Sequence, residues 1–224
     1  MKSIYTCLFL FACFTLLAQK QYTFDYMVEY KNFEGNDNKK QTKIPYSIYL
    51  TNSKNNSYLA ELTEKDSLTY WVDFLDHNST TARVTINKSD FKKTEFIHIK
   101  CEDVKKYSNP YKYQVNNYHF TTPKDTIINN AIFKTYSITA NDLKRQQKKK
   151  TGTYLYIVDK ETDFHLPIFQ QATTFEEYKV ERGVPNGIFT KIVFIDYLNK
   201  IKYHQERVNY LPIDKKIVIP ADCN

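Results

Sequence analysis

"YTFDYMVEY" (residues 22–30) alternates without a break. Tyr22, Phe24, Tyr26, Val28 and Tyr30 fall on one side, and Thr23, Asp25, Met27 and Glu29 on the other. That is the period of a β-strand, whose successive side chains point to opposite faces. The pattern recurs along the chain. In "LTYWVDFL" (68–75), Leu68, Tyr70, Val72 and Phe74 oppose Thr69, Trp71, Asp73 and Leu75. "TARVTIN" (81–87) alternates too, and "EFIHIKC" (95–101) sets Ile97, Ile99 and Cys101 on one side, expected to be the core side. Tyr, Phe, Ile, Val and Thr, the residues that suit a pleated surface, mark further strands at 111–120, 131–139, 153–158, 174–182, 188–198 and 201–209.

Breakers separate these runs: "TNSKNN" (51–56), "DHNS" (76–79), "VPNG" (184–187) and "LNK" (198–200). "VPNG" reads as a hairpin turn in which Asn186-Gly187 takes positive φ. Only "ANDLKRQQKKK" (140–150) reads as helical, with Asn141 as its cap. About ten strands on short turns predict a mainly β fold, since an open sheet of that size tends to curl. The expected form is a large antiparallel, strongly curved sheet (a half-barrel) with one or two short helices, with a β-sandwich as the alternative. The absence of internal repeats argues against a propeller or solenoid.

The leader "MKSIYTCLFLFACFTLLAQ" sets the expected compartment. Lys2 precedes an uncharged run at residues 4–18, shorter than the roughly 20 apolar residues of a membrane span. It reads as a signal peptide ending at Ala18, with residues 19–224 forming one antiparallel β domain that is secreted or periplasmic. The alternative is "LFAC" (10–13) as a lipobox, with lipidation at Cys13 anchoring the domain to a membrane.

Without Lys2 the chain carries 31 basic and 25 acidic residues, a formal +6. The acids are interleaved throughout, and no recognition-helix or zinc-finger pattern occurs, so nucleic acid is not expected as a partner. The basic run "KRQQKKK" could meet acidic lipid head groups, but it lacks an apolar anchor and reads first as a solvated helix face. Beyond the leader the cysteines are Cys101 and Cys223. They are candidates for one long-range disulfide in an oxidising compartment, or else two separate thiols. Two cysteines without CxxC spacing do not make a zinc site.

No catalytic pattern emerges. His77, His98, His119, His165 and His204 are scattered, and no HExxH, GxSxG or glycine-rich phosphate loop occurs. His98 and His204 could be ligands meeting across a sheet, but as polar strand residues they are expected to face solvent. Glu176 and Glu177, as strand neighbours, would point to opposite faces. No metal or cofactor is expected. The aromatic content says more: the chain has 19 Tyr and 15 Phe, and "IFTKIVFIDYL" (188–198) is apolar on both faces. A strand of that kind must be covered on both sides. Either it lies in a filled core, or the concave side forms an apolar groove with Tyr70, Val72, Phe74, Ile192 and Phe194 as candidate lining.

"YLYIVDKETDFHLPIFQQ" (154–171) resembles the strand–turn–strand segment of the periplasmic lipoprotein-carrier (LolA/LolB-like) superfamily. A strand ends at Asp159, an acidic turn follows to Asp163, and Leu166-Pro167 open the next strand. The chain is also similar to short secreted proteins of Bacteroidetes-type bacteria. The resemblance implies a half-barrel open on one side, with apolar walls, no catalytic group and His165 at a hairpin corner. The expected function is a non-enzymatic envelope protein holding a lipid, lipidated protein or other apolar ligand. The alternative is an envelope structural or interaction module, with a self-filled core and an envelope protein as partner.

Overall fold

The structure is a computed structural model that describes residues 19–109, 112, 117–122, 125–128, 131–181 and 183–223. The expected leader, its cleavage site and Cys13 lie outside these residues, as does half of the strand expected at 111–120, whose end forms part of β8. Among the described residues, thirteen strands form one open sheet. They are β1 (Gln19–Glu34), β2 (Gln41–Asn52), β3 (Asn55–Glu64), β4 (Thr69–Asp76), β5 (Thr80–Asn87), β6 (Phe96–His98), β7 (Val104–Lys106), β8 (Tyr118–Thr121), β9 (Thr126–Ile128), β10 (Ala131–Ala140), β11 (Thr153–Asp159), β12 (Phe189–Ile195) and β13 (Ile201–Pro220). The helices are α1 (Lys88–Lys93), α2 (Leu143–Lys149) and α3 (Ala172–Glu181). The order β7-β5-β4-β3-β2-β1-β13-β12-β11-β10-β8 makes the longest chain of neighbours, all antiparallel; β9 pairs β10, and β6 alone runs parallel to its partner, β13. The expected mainly β, antiparallel sheet is the fold observed.

The sheet buries a separate core on each face. Adjacent residues of β2, β3 and β4 go to different cores: Leu50, Ala60 and Phe74 to one, Tyr49, Leu59 and Leu75 to the other. Alternation places such neighbours on opposite faces. β1 serves both, and here the expected single stripe divides. Tyr22 and Phe24 enter the first core, while Val28 and Tyr30 enter the second. The change falls at a β-bulge between Phe24 and Tyr26, where β13 carries one extra residue. A bulge bends and twists its strand and so re-aims the side chains around it.

Around the first core the sheet curls tightly. β6 lies on the free edge of β13 and β7 on that of β5, seven strand positions apart. In a flat sheet they would stand about 33 Å apart. The chain from His98 to Val104 can span at most about 21 Å, and it spends part of that on a 3-10 turn at Cys101–Asp103. The two edges are therefore drawn together. Cys101, in that turn, is bonded to Cys223, just beyond β13, with a Cα–Cα distance of 4.9 Å. Cys101 is exposed rather than core-facing, because the strand expected through residue 101 ends at His98. Lys215 completes the closure: its Nζ donates to the Phe91 and Thr94 carbonyls at the end of α1 (2.6 and 2.7 Å).

Three further expectations are corrected. In place of the strand expected at 174–182, residues 174–181 belong to α3, because Ala172, Phe175 and Tyr178 recur every third residue and pack inward, while Ala, Glu and Lys favour helix. "VPNG" therefore joins a helix to a strand and is no hairpin turn, although Gly187 does have positive φ (131°). The cap of α2 is Asp142, whose side chain accepts from Lys144 N–H, rather than Asn141.

The disulfide ties the bridge between the two sheet edges to the end of β13, across 122 residues of sequence. Replacing both cysteines by serine is expected to lower unfolding stability by about 2–5 kcal/mol. Urea denaturation of the double variant under oxidising conditions checks this; an unchanged midpoint would contradict it.

Candidate functional site

The second core is incompletely filled. After β11 and a 3-10 turn at Lys160–Thr162, residues 163–171 cross the sheet as a strap of no regular structure and lead into α3. The strand expected after Pro167 does not form. Ile168 and Phe169 of the strap are buried beneath it against the sheet side, and Leu166 N–H donates to Ser53 O (2.9 Å).

Two buried histidines hold the strap. His165 is at a corner, as expected, though the corner joins a strand to the strap rather than two strands of a hairpin. Its Nδ1 donates to the Leu166 carbonyl (2.5 Å), which leaves Nε2 to accept from the Thr51 hydroxyl (2.9 Å). The Gly187 N–H closes the corner by donating to the His165 carbonyl (2.8 Å). A Cβ at Gly187 would meet Val158 Cγ1 at 2.5 Å, so both the positive φ and the close approach demand glycine. Four residues on, His77 Nε2 donates to the Phe169 carbonyl (3.0 Å) while its ring stacks on Phe175 of α3. Burial pushes the pKa of both histidines down, so both hold the strap as neutral rings. The charges facing them are Asp76, Glu176 and Lys179 for His77, and Asp25 and Lys54 for His165.

Beside the strap lies a cavity of about 440 Å3. Its apolar wall comes from Leu75 of β4, Tyr118 of β8, Ile138 of β10, Tyr154 of β11 and Phe194 of β12. β4 and β10 stand seven positions apart in the sheet, about 33 Å if it were flat. That they line one cavity shows how strongly the sheet curls on this face. Gln170, Gln171 and the first turn of α3 (172–174) form the covering side. Gly152 sets the wall at Phe194: a Cβ there would collide with the Ile195 carbonyl and the Phe194 ring.

A second cavity of about 440 Å3 lies on the other side of Gln170 and Gln171, which line both. Many of the residues around it carry polar groups, Asn32, Ser47, Tyr49, Glu61, Tyr203 and Gln205 among them, although more of the exposed lining is apolar than polar. The floors of the two meet at a hydroxyl pair, Tyr203 donating to Tyr154 (3.1 Å). Burial raises the pKa of Glu61, Tyr49 and Tyr203.

The residues expected to line a groove do not converge. Tyr70, Val72 and Phe74 belong to the first core, with Val72 and Phe74 wholly buried, and Ile192 is wholly buried in the second. Phe194 alone among them lines the cavity. Leu75, Ile138 and Tyr154 carried no distinguishing signal, since each looks like an ordinary strand residue. The histidines stand apart. His98 is exposed on β6, and His119 bonds Asn141. His204, expected to face solvent, is buried against Phe33, between the Gly35 carbonyl (2.9 Å) and Asn38 (3.0 Å). Glu176 and Glu177 are both buried on α3, Glu176 accepting from Asn109 (2.8 Å) and pairing with Lys179. Among the described residues, the one grouping with metal-ligand chemistry is Cys101, Asp222 and Cys223, whose two sulfurs are already bonded to each other.

No protein-family model matches the chain, and no curated protein matches it. Similar solved structures include the crystal structure of MucB (7% identity, TM-score 0.39), covering 84% of this chain and 53% of that one. The Pseudomonas aeruginosa MucA/MucB complex is similar at 6% identity and TM-score 0.38, covering 84% and 51%. An outer membrane lipoprotein-sorting protein domain from Vibrio parahaemolyticus is similar at 9% identity and TM-score 0.33, covering 84% and 85%. The chain spans about half the length of the MucB structures it matches. The likeness is one of fold.

Because His77 and His165 have lowered pKa values in the fold, the unfolded chain takes up their protons first as pH falls through about 6.5. Stability is fully present above that pH. Below it, stability is lost by up to about 1.4 kcal/mol per pH unit for each histidine, until the folded groups titrate. Denaturant melts at pH 7.5 and 5.5 should show a smaller acid loss in His77→Phe and His165→Gln than in the wild type. Equal losses would contradict the assignment.

Proposed function

We propose that the protein is a non-enzymatic binding module of the extracytoplasmic space that holds an apolar chain in the cavity beside the strap. The observation that carries this reading is the cavity itself, large enough for an acyl chain, with an apolar wall of Leu75, Ile138, Tyr154 and Phe194 and a removable cover. The cover suits entry and exit. It has no strand ladder, and two side-chain hydrogen bonds from histidine rings help to hold it. Regions with few backbone bonds open at lower free energy than sheet cores. The disulfide fits an oxidising compartment, in keeping with the leader. On this reading the ligand is a lipid or the acyl chain of a lipidated protein, and an envelope protein is the partner that delivers or receives it.

N-phenyl-1-naphthylamine, a neutral apolar fluorophore, tests the reading. The wild type should bind it at one site per chain with enhanced emission. Thr173→Trp, which puts bulk on the half-exposed first turn of α3 at the cavity, should weaken binding by about tenfold, roughly 1.4 kcal/mol, without lowering the melting temperature. Absence of probe binding to the folded wild type, or equal binding by the variant, would contradict it.

A further inference from the structure

The cavity beyond Gln170 and Gln171 is edged by polar side chains that a hydrogen-bond network holds in place. Strand register builds it: Glu61 stands opposite Tyr49, and Asn32 opposite Gln205. Hydrogen bonds then fix each side chain's orientation. Gln170 Nε2 donates to Gln205 Oε1 (2.9 Å), Gln205 Nε2 to Asn32 Oδ1 (2.8 Å), and Asn32 Nδ2 to Ser47 Oγ (3.1 Å). Tyr156 OH donates to Gln171 Oε1 (3.0 Å), and Tyr49 OH to Glu61 Oε1 (2.9 Å). Gln205 and Asn32 spend both ends of their amides in this network, and Glu61 accepts from Ser47 as well as from Tyr49. Gln171 Nε2 and Gln170 Oε1 take no part in these bonds and line the cavity as one donor and one acceptor, already oriented.

Lys43 and Glu61 are the charged residues of this lining, and their charges cancel. A phosphate or carboxylate head would find no excess positive charge here, and a cationic head would find one carboxylate shared with Tyr49. Amides with donors and acceptors side by side, a carboxylate acceptor and a Tyr203 ring suit neighbouring hydroxyl groups, each of which both donates and accepts. The polar cavity begins where the apolar one ends, at the paired amides of the strap and the Tyr154–Tyr203 hydroxyls. A ligand whose tail fills the first therefore presents its head to the second.

We infer that the protein selects an amphiphile with an uncharged, polyhydroxylated (glycosyl) head group, the head bound by Gln170, Gln171 and Glu61. The inference rests on the tail-binding reading above and adds the head-group chemistry to it.

Three dodecyl ligands test it, each titrated below its micelle-forming concentration against bound N-phenyl-1-naphthylamine, with calorimetry as a second readout: dodecyl maltoside, dodecylphosphocholine and laurate. The maltoside should bind about tenfold more tightly than the other two. Glu61→Gln, which keeps an acceptor for Tyr49 but removes the charged acceptor for the head, should weaken the maltoside by about tenfold. It should leave fluorophore affinity unchanged and should not weaken laurate, whose carboxylate would no longer face a like charge. Equal affinity for the three ligands, a preference for either charged head, or a maltoside affinity untouched by Glu61→Gln would overturn the head-group inference while leaving tail binding intact. Failure of the fluorophore and all three ligands to bind the folded wild type would overturn both.

Discussion

The pairing of β1 with β13 is the constraint on which the rest depends. Both strands run through both cores, and the bulge between Phe24 and Tyr26 decides which face each part of them serves. Had β1 continued its regular alternation, Tyr22 and Phe24 would have shared a face with Val28 and Tyr30, whereas they enter different cores. The β2–β5 flank contributes to both cores, and it meets the β10–β12 flank around the second.

The two cores are finished differently. The first is sealed by covalent and charged fastenings: the Cys101–Cys223 bond, the short β6 and β7 at opposite edges, and Lys215 capping α1. Its largest side chains, such as Phe24 and Phe74, have no exposed surface. The second core is covered by a strap and a helix rather than by strands. Tyr30 stacks on Phe189 and Tyr136 on Tyr156 to fill its depth, while the space under Gln170 and Gln171 is left to the two cavities. A rigid half supporting a lightly fastened half is an arrangement suited to the proposed binding role, since opening the strap leaves the first core undisturbed.

How much of this the sequence displayed depends on the element. Period-two runs revealed β1, β4 and β5, because alternation reports burial on one face, and β10 and β11 showed through their Tyr, Ile, Val and Thr content. β2 and β3 escaped notice because Lys43, Pro45, Asn55 and Glu61 dilute the apolar count, and their inner polar side chains are the ones that line the polar cavity. α3 was hidden because Phe175, Glu177 and Lys179 also fit a period of two; the Ala172–Phe175–Tyr178 spacing was the signal against it. The division of the Tyr22–Tyr30 stripe could not be read locally, since the extra residue lies on β13, far away in sequence. The cavity wall was illegible for the same reason. Leu75 and Ile138 become neighbours only once the sheet has curled, and Val72 and Phe74, the more conspicuous pair, fill a core.

Native mass spectrometry of the full precursor's product, purified from a bacterial host with an envelope, tests most directly whether the strap-covered cavity holds an apolar chain. The account predicts a native mass above the denatured mass by the weight of one lipid, with the excess released on collisional activation and reduced in Thr173→Trp. A native mass equal to the denatured mass, in a protein that also fails to take up added lipid, would contradict it.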